Sequence, residues 1–194
     1  AERRPDVRFL IYGREDVVSP HFIKHPHLRA ISQFVHCDVA VRMEDKPSQA
    51  LRRGRVSLPS QIYLLTTVTH GRAPIFLNAD LAVNTCRRIG DPSLWRNARL
   101  LCWVLMPDHW HGVVELGHYE PLGDLMRRFK STTALEVNRD RRATGSVWAS
   151  GFHDHALRYE EDLVGVARYV VANPIRAGLA TRVGDYPYWN AVWI

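Results

Sequence analysis

Apolar positions fall into short, regular patterns from about residue 52 onward, and each pattern predicts an element. "IYLLTTVTH" (62–70) is rich in β-branched and aromatic residues and predicts a strand. "NADLAVNTCRRI" (78–89) opens on Asn78 as an N-cap, carries Asp80 in its first turn and closes on two arginines before Gly90, which predicts a helix. "RLLCWVLM" (99–106) is a nearly continuous apolar strand. Pro107 and Asp108 turn the chain, and "HWHGVVEL" (109–116) returns as a second strand. Leu122, Leu125, Met126, Phe129 and Leu135 recur near helical spacing, so residues 121–140 predict a long amphipathic helix. "SVWASGFHDHALR" (146–158) reads as a loop entering a short strand. Residues 160–174 start acidic and stop at Pro174, which predicts a helix. The aromatic tail "DYPYWNAVWI" is expected to pack on the core. This order predicts an α+β fold, an antiparallel sheet with helices on it.

Residues 1–52 have a different character. "VRFLIYG" (7–13) and "CDVAVRM" (37–43) predict strands, "LRAISQFVH" a short helix or strand, and "EDKPSQALRRGR" (44–55) a boundary. The 194 residues, 46% of them hydrophobic, suffice for one domain with a sizeable core, or a domain plus an appendage. No run of about 18 apolar residues is present, so a transmembrane helix is not expected, and the first residues lack a secretory signal pattern. Cys37, Cys86 and Cys102 form no C-x-x-C pair, which argues for a reducing, cytoplasmic setting and against a cysteine-based zinc site.

Charge sharpens the picture at one place. The chain carries a formal +6, and residues 127–142 hold six basic against two acidic side chains. Arg127, Arg128, Lys130, Arg139, Arg141 and Arg142 form either a solvated helix face or a phosphate-binding surface.

The candidate chemistry sits in "MPDHWHG" (106–112). On a strand, His109 and His111 project from one face and Trp110 from the other. Two imidazoles so placed can converge on a divalent ion, although the pair alone reads first as two solvated or hydrogen-bonded histidines at the end of a hairpin. Tyr169 and Asn173 are four apart, so a continuous helix would stack a phenol and an amide on one face. By pattern alone Tyr169 reads as core and Asn173 as a helix terminus.

Three ordered motifs, "CWVLMPDHWHGVVEL" (102–116), "VWASGFHDHALRYEEDL" (147–163) and "ARYVVANPIRAGL" (167–179), resemble the REP-associated tyrosine transposases, relatives of the single-tyrosine HUH transposases. "RRGRVSLPSQIYLLTTVTHGRAPIF" (52–76) is similar to the start of that family's domain, so the resemblance covers roughly residues 52–190. It implies a sheet of RNA-recognition-like (ferredoxin-like) topology with helices on its faces. It also implies that His109, His111 and Asn173 bind Mg²⁺ or Mn²⁺ and that Tyr169 is the nucleophile. The implied activity is cleavage and rejoining of single-stranded hairpin DNA through a 5′-phosphotyrosine link, by a monomer or homodimer associated with the nucleoid. A catalytically silent hairpin-binding relative is the alternative. The second His-x-His, "HDH" (153–155), belongs to a different motif of the family and reads as a decoy, with a supporting role open to Asp154 or His155. Trp103, Trp110 and Trp148 read first as core and second as base-stacking platforms. "AVRMEDKPSQALRRGR" (40–55) resembles an internal piece of the bacterial phosphate acyltransferase of phospholipid synthesis, so residues 1–52 are expected to be a non-functional fragment joined to a transposase domain at 53–194.

Overall fold

The computed structural model describes residues 58–158 and 162–193. The strands and the linker expected within residues 1–55 lie outside them. Five strands form one antiparallel sheet: β1 (Ile62–Val68), β2 (Arg99–Met106), β3 (His109–Glu115), β4 (His153–Ala156) and β5 (Trp189–Ala191), in the order β4-β1-β3-β2-β5. The first four strands, with α1 (Ala79–Gly90) between β1 and β2 and α3 (Leu122–Arg141) between β3 and β4, give the β-α-β-β-α-β order of a ferredoxin-like sheet. The expected α+β class and topology are therefore observed.

Burial explains the two kinds of strand. β1 alternates half-buried and buried positions, with Tyr63, Leu65 and Thr67 inward. β2 is buried at its last six residues, because helices cover both faces of the sheet there. On one face, α1, α3 and the short α2 (Pro92–Trp95) pack over Trp110. Its indole is fully buried, 4.4 Å from the Phe129 ring and 6.2 Å from Trp95. On the other face, α4 (Leu163–Val171) packs against β2, β3 and β5.

Local chemistry sets the helix ends. Asn78 caps α1 by accepting the Leu81 N–H at 3.1 Å, as the sequence predicts, and the helix runs one residue further, through Gly90. Asp91 and Asp162 cap α2 and α4 in the same way. Leu135, assigned by spacing to the apolar stripe of α3, is instead exposed; the stripe continues through Thr133 and Val137. Thr133 is tolerated inside because its hydroxyl donates to Phe129 O and accepts from Trp148 Nε1.

Two expectations are corrected. Residues 160–174 do not form one helix: α4 ends at Val171, Ala172 leaves the helical region, and α5 (Asn173–Arg176) begins afresh. Pro174 has no N–H to give to Val170 O, and the Asn173 amide nitrogen supplies that bond instead, at 3.0 Å. The tail does more than cover the core, since its residues 189–191 pair with β2 as an edge strand.

Gly112 is fixed by Trp110, whose ring lies across it: a Cβ there would sit 2.1 Å from the indole. Gly112→Ala is expected to destabilise the domain by at least about 2 kcal/mol, because a fully packed ring has nowhere to move. Urea unfolding followed by circular dichroism would register it as a lower midpoint with unchanged slope.

Candidate metal and nucleophile site

The face of β3 opposite Trp110 carries His109 and His111, their ring centroids 4.8 Å apart and nearly perpendicular. Each ring is held by its Nδ1. His109 Nδ1 lies 2.5 Å from Asp108 Oδ1, and Asp108 in turn accepts from Arg72 Nη1 at 3.2 Å. His111 Nδ1 lies 2.7 Å from Thr66 Oγ1, on the strand position paired with it in β1. With Nδ1–H donating to these oxygens, each Nε2 keeps its lone pair. Such outer partners fix both tautomer and ring orientation in histidine metal sites, and this donor set fits a divalent ion.

Electrostatics favour the same state. Burial first, then the charges of His109 and Arg176, push the His111 pKa down to about 3 against a weaker opposite pull from Asp108. The ring is therefore neutral and available as a ligand over the whole physiological range. Burial opposes ionisation of Asp108, but its hydrogen bonds to His109 and Arg72 and their charges outweigh it, so its carboxyl stays below the usual range. Among the described residues, no group of three His, Cys, Asp or Glu side chains is placed to hold a metal.

Tyr169 lies in the last turn of α4 and Asn173 opens α5, so the break at Ala172 separates the two residues that a continuous helix would have stacked on one face. Tyr169 lies off the buried stripe of α4 formed by Ala167, Val170 and Val171, and is 49% exposed. The core placement that its apolar surroundings suggest is thus corrected. The Arg176 guanidinium stacks on the Tyr169 ring, its carbon 3.8 Å from the ring centroid, while its charge acts on His111. Arg176 thus touches the phenol directly and acts on His111 through its charge. Asn173, at the helix break, spends its Nδ2 on Val170 O, which turns its other amide atom, Oδ1, into the available acceptor.

The basic residues of α3 divide in two. Arg128 makes a bidentate pair with Glu120 and donates Nε to Leu94 O at 2.8 Å, tying α3 to α2. Lys130 Nζ donates to Ala149 O and Gly151 O, pinning the loop before β4. Arg127, Arg139, Arg141 and Arg142 are exposed, the first two within ion pairs to Asp124 and Glu136. All of α3 lies on the Trp110 side of the sheet, away from the histidines. Trp103, Trp110 and Trp148 are buried, as their core reading has it.

The second His-x-His lands closer than expected. His153 in β4 pairs with Thr66, and Thr66 pairs with His111, so the three occupy one row on one face of the sheet. Sequence reasoning also passed over Thr66, Arg72 and Arg176. Asp108 had a visible signal, being adjacent to His109; Thr66 is 45 residues away and only strand register finds it.

His111 yields a stability prediction. Its folded pKa lies below the unfolded value, so on acidification the unfolded chain takes up a proton that the folded one refuses. Stability is therefore lost as pH falls below about 6.5, by about 2 kcal/mol between pH 7 and pH 5 from this group. His111→Gln is expected to flatten the dependence over that interval by about this amount, measured by urea denaturation at the two pH values.

Residues 58–173 match the family described as IS200-like transposases. Among solved structures, a REP-associated tyrosine transposase bound to a REP hairpin superposes with a TM-score of 0.56 at 19% identity, covering 70% of this chain and 79% of that one. The chain also matches phosphate acyltransferases: 64% identity over 55 residues with that of Mesorhizobium japonicum, and 52% over 79 residues with that of Chelativorans sp.. These segments are 28% and 41% of this chain but only 15% and 22% of those enzymes, so the chain spans less than a quarter of the curated relatives it matches. Among the described residues, no helix is long and apolar enough to cross a membrane. With more than half its length matched and a ferredoxin-like sheet carrying the paired histidines, the chain belongs to the IS200-like transposase family.

Proposed function

We propose that this protein cuts and rejoins single-stranded DNA bearing a hairpin, using Tyr169 as nucleophile and His109, His111 and Asn173 as ligands of Mg²⁺ or Mn²⁺. The observation that carries the proposal is the pair of imidazoles on one face of β3, each held through Nδ1 by an oxygen partner; with Nδ1–H as donor, each Nε2 would serve as the ligand atom. When bound, the ion would polarise the scissile phosphate and offset the charge that gathers on it. Tyr169 Oη attacks phosphorus in line; the phenol proton leaves to solvent, the bond from phosphorus to the 3′-oxygen breaks, and that oxygen takes up a proton. The phosphotyrosine linkage retains the phosphodiester bond energy, so a 3′-hydroxyl from another end reverses the step and joins the strands. The half-exposed phenol suits a nucleophile that must meet a polymer, and the neutral His111 suits metal binding without prior loss of a proton.

DNA contacts need not all lie on the histidine side. Arg127, Arg139, Arg141 and Arg142 on α3 face solvent beyond the opposite face of the sheet, where they would meet phosphates of the hairpin rather than the cleaved strand. Arg128 and Lys130, committed to Glu120 and to loop carbonyls, serve the fold first. A cytoplasmic, nucleoid-associated protein acting as monomer or homodimer is in keeping with such a substrate.

The test is a covalent adduct on a denaturing gel after incubation with hairpin-bearing single-stranded DNA and Mg²⁺ or Mn²⁺. Tyr169→Phe is expected to abolish it, and His109→Ala to reduce it at least 100-fold while hairpin binding persists. An adduct surviving in Tyr169→Phe removes Tyr169 from the role, and binding without any adduct in the unaltered protein leaves a hairpin-binding protein that does not cut. In a separate titration, replacing Arg141 and Arg142 by Ala is expected to lower the slope of log affinity against log salt by about 1 to 2, whereas Arg128→Met lowers stability and leaves that slope unchanged.

A further inference from the structure

The Arg176 side chain is attached to Tyr169 at two points. Its guanidinium sits over the phenol ring, 3.8 Å from carbon to centroid, and its Nη1 donates to the Tyr169 carbonyl at 2.8 Å. That carbonyl stands at the end of α4, where the chain breaks at Ala172 and helix-end carbonyls lack intrahelical partners. One side chain from α5 thus serves both the backbone and the ring of the residue seven positions earlier. The ring is 49% exposed, and without the stack it would be free to exchange among staggered rotamers. Nη2 of the same guanidinium is buried with no hydrogen-bond partner, a cost the fold accepts to keep the group where it is.

Resting on the reading of Tyr169 as nucleophile, we propose that Arg176 is its positioning residue: the stack and the carbonyl bond together strap α4 to α5 across the break and hold the phenol in one orientation toward the His109–His111 pair. Planarity and the fork of donors are both needed for this double attachment, so lysine is a poor replacement. The break itself becomes intelligible. In one continuous helix residue 176 would stand about 10 Å along the axis from Tyr169; with the restart at Asn173 the Arg176 guanidinium lies over the Tyr169 ring.

The test uses the full chain, with Arg176→Met keeping length and Arg176→Lys keeping charge. The rate of adduct formation at saturating hairpin DNA is expected to fall about 10- to 100-fold in both variants, the usual consequence of a misplaced reacting group, while DNA affinity stays within threefold. Independently of activity, 3-fluorotyrosine incorporated at position 169 should give a single stacked ¹⁹F resonance that collapses toward the free-tyrosine position in Arg176→Met. A rate within twofold of the unaltered protein in Arg176→Met overturns the inference alone. So does an unchanged saturated rate with affinity weakened tenfold, which would make Arg176 a phosphate contact, or full rescue by Arg176→Lys, which would make charge sufficient. If the unaltered protein forms no adduct, the nucleophile reading fails and this role fails with it.

Discussion

Alternation of side chains along β3 is the constraint on which the site depends. Trp110 is the largest fully buried side chain of the described core, wedged among Phe129 and Trp95. Turning it outward would cost several kcal/mol of buried aromatic surface. Because successive strand residues point to opposite faces, burying Trp110 forces His109 and His111 together onto the other side. Gly112 completes the arrangement by leaving room for the indole. A one-residue slip would move the histidines into the core and the indole out of it, so hydrophobic packing on one face sets the register of polar chemistry on the other.

On the histidine face the protein assembles charge in a graded way. Arg72 supports Asp108, Asp108 holds His109, and Thr66 holds the more deeply buried His111 with a neutral hydroxyl. A carboxylate beside His111 would have favoured its protonated form; a hydroxyl does not. Burial keeps His111 neutral; the positive charge of Arg176, which lies against Tyr169, adds to that effect. The broken helix is part of this device, since Pro174 stops α4 and Asn173 repairs the vacant Val170 carbonyl with its own side chain.

Basic residues show why composition is a blunt guide. Six cations in residues 127–142 look alike in sequence, yet Arg128 is half-buried in a bidentate pair and Lys130 is tied to two carbonyls. The remaining four face solvent on the side of the sheet away from His109 and His111. Periodicity misassigned Leu135 in the same helix for a related reason: an amphipathic stripe is about 100° wide, and a residue at its edge can fall either way.

Most element types, the α+β class and the shared face of His109 and His111 were determined by the sequence, because they rest on local rules of alternation, caps and turn residues; the ferredoxin-like topology was implied by the resemblance of three ordered motifs. Asn78 as a cap and the Pro107–Asp108 turn are legible for the same reason. Tertiary structure alone decided that Thr66 meets His111, that His153 joins their row, that the tail becomes an edge strand, and that Arg176 folds over Tyr169. Those contacts join residues distant in the chain, or cross a helix break set by a single missing N–H. Pairing register and the direction of a restarted helix are settled only when the packed faces meet, and no periodicity in the chain records them.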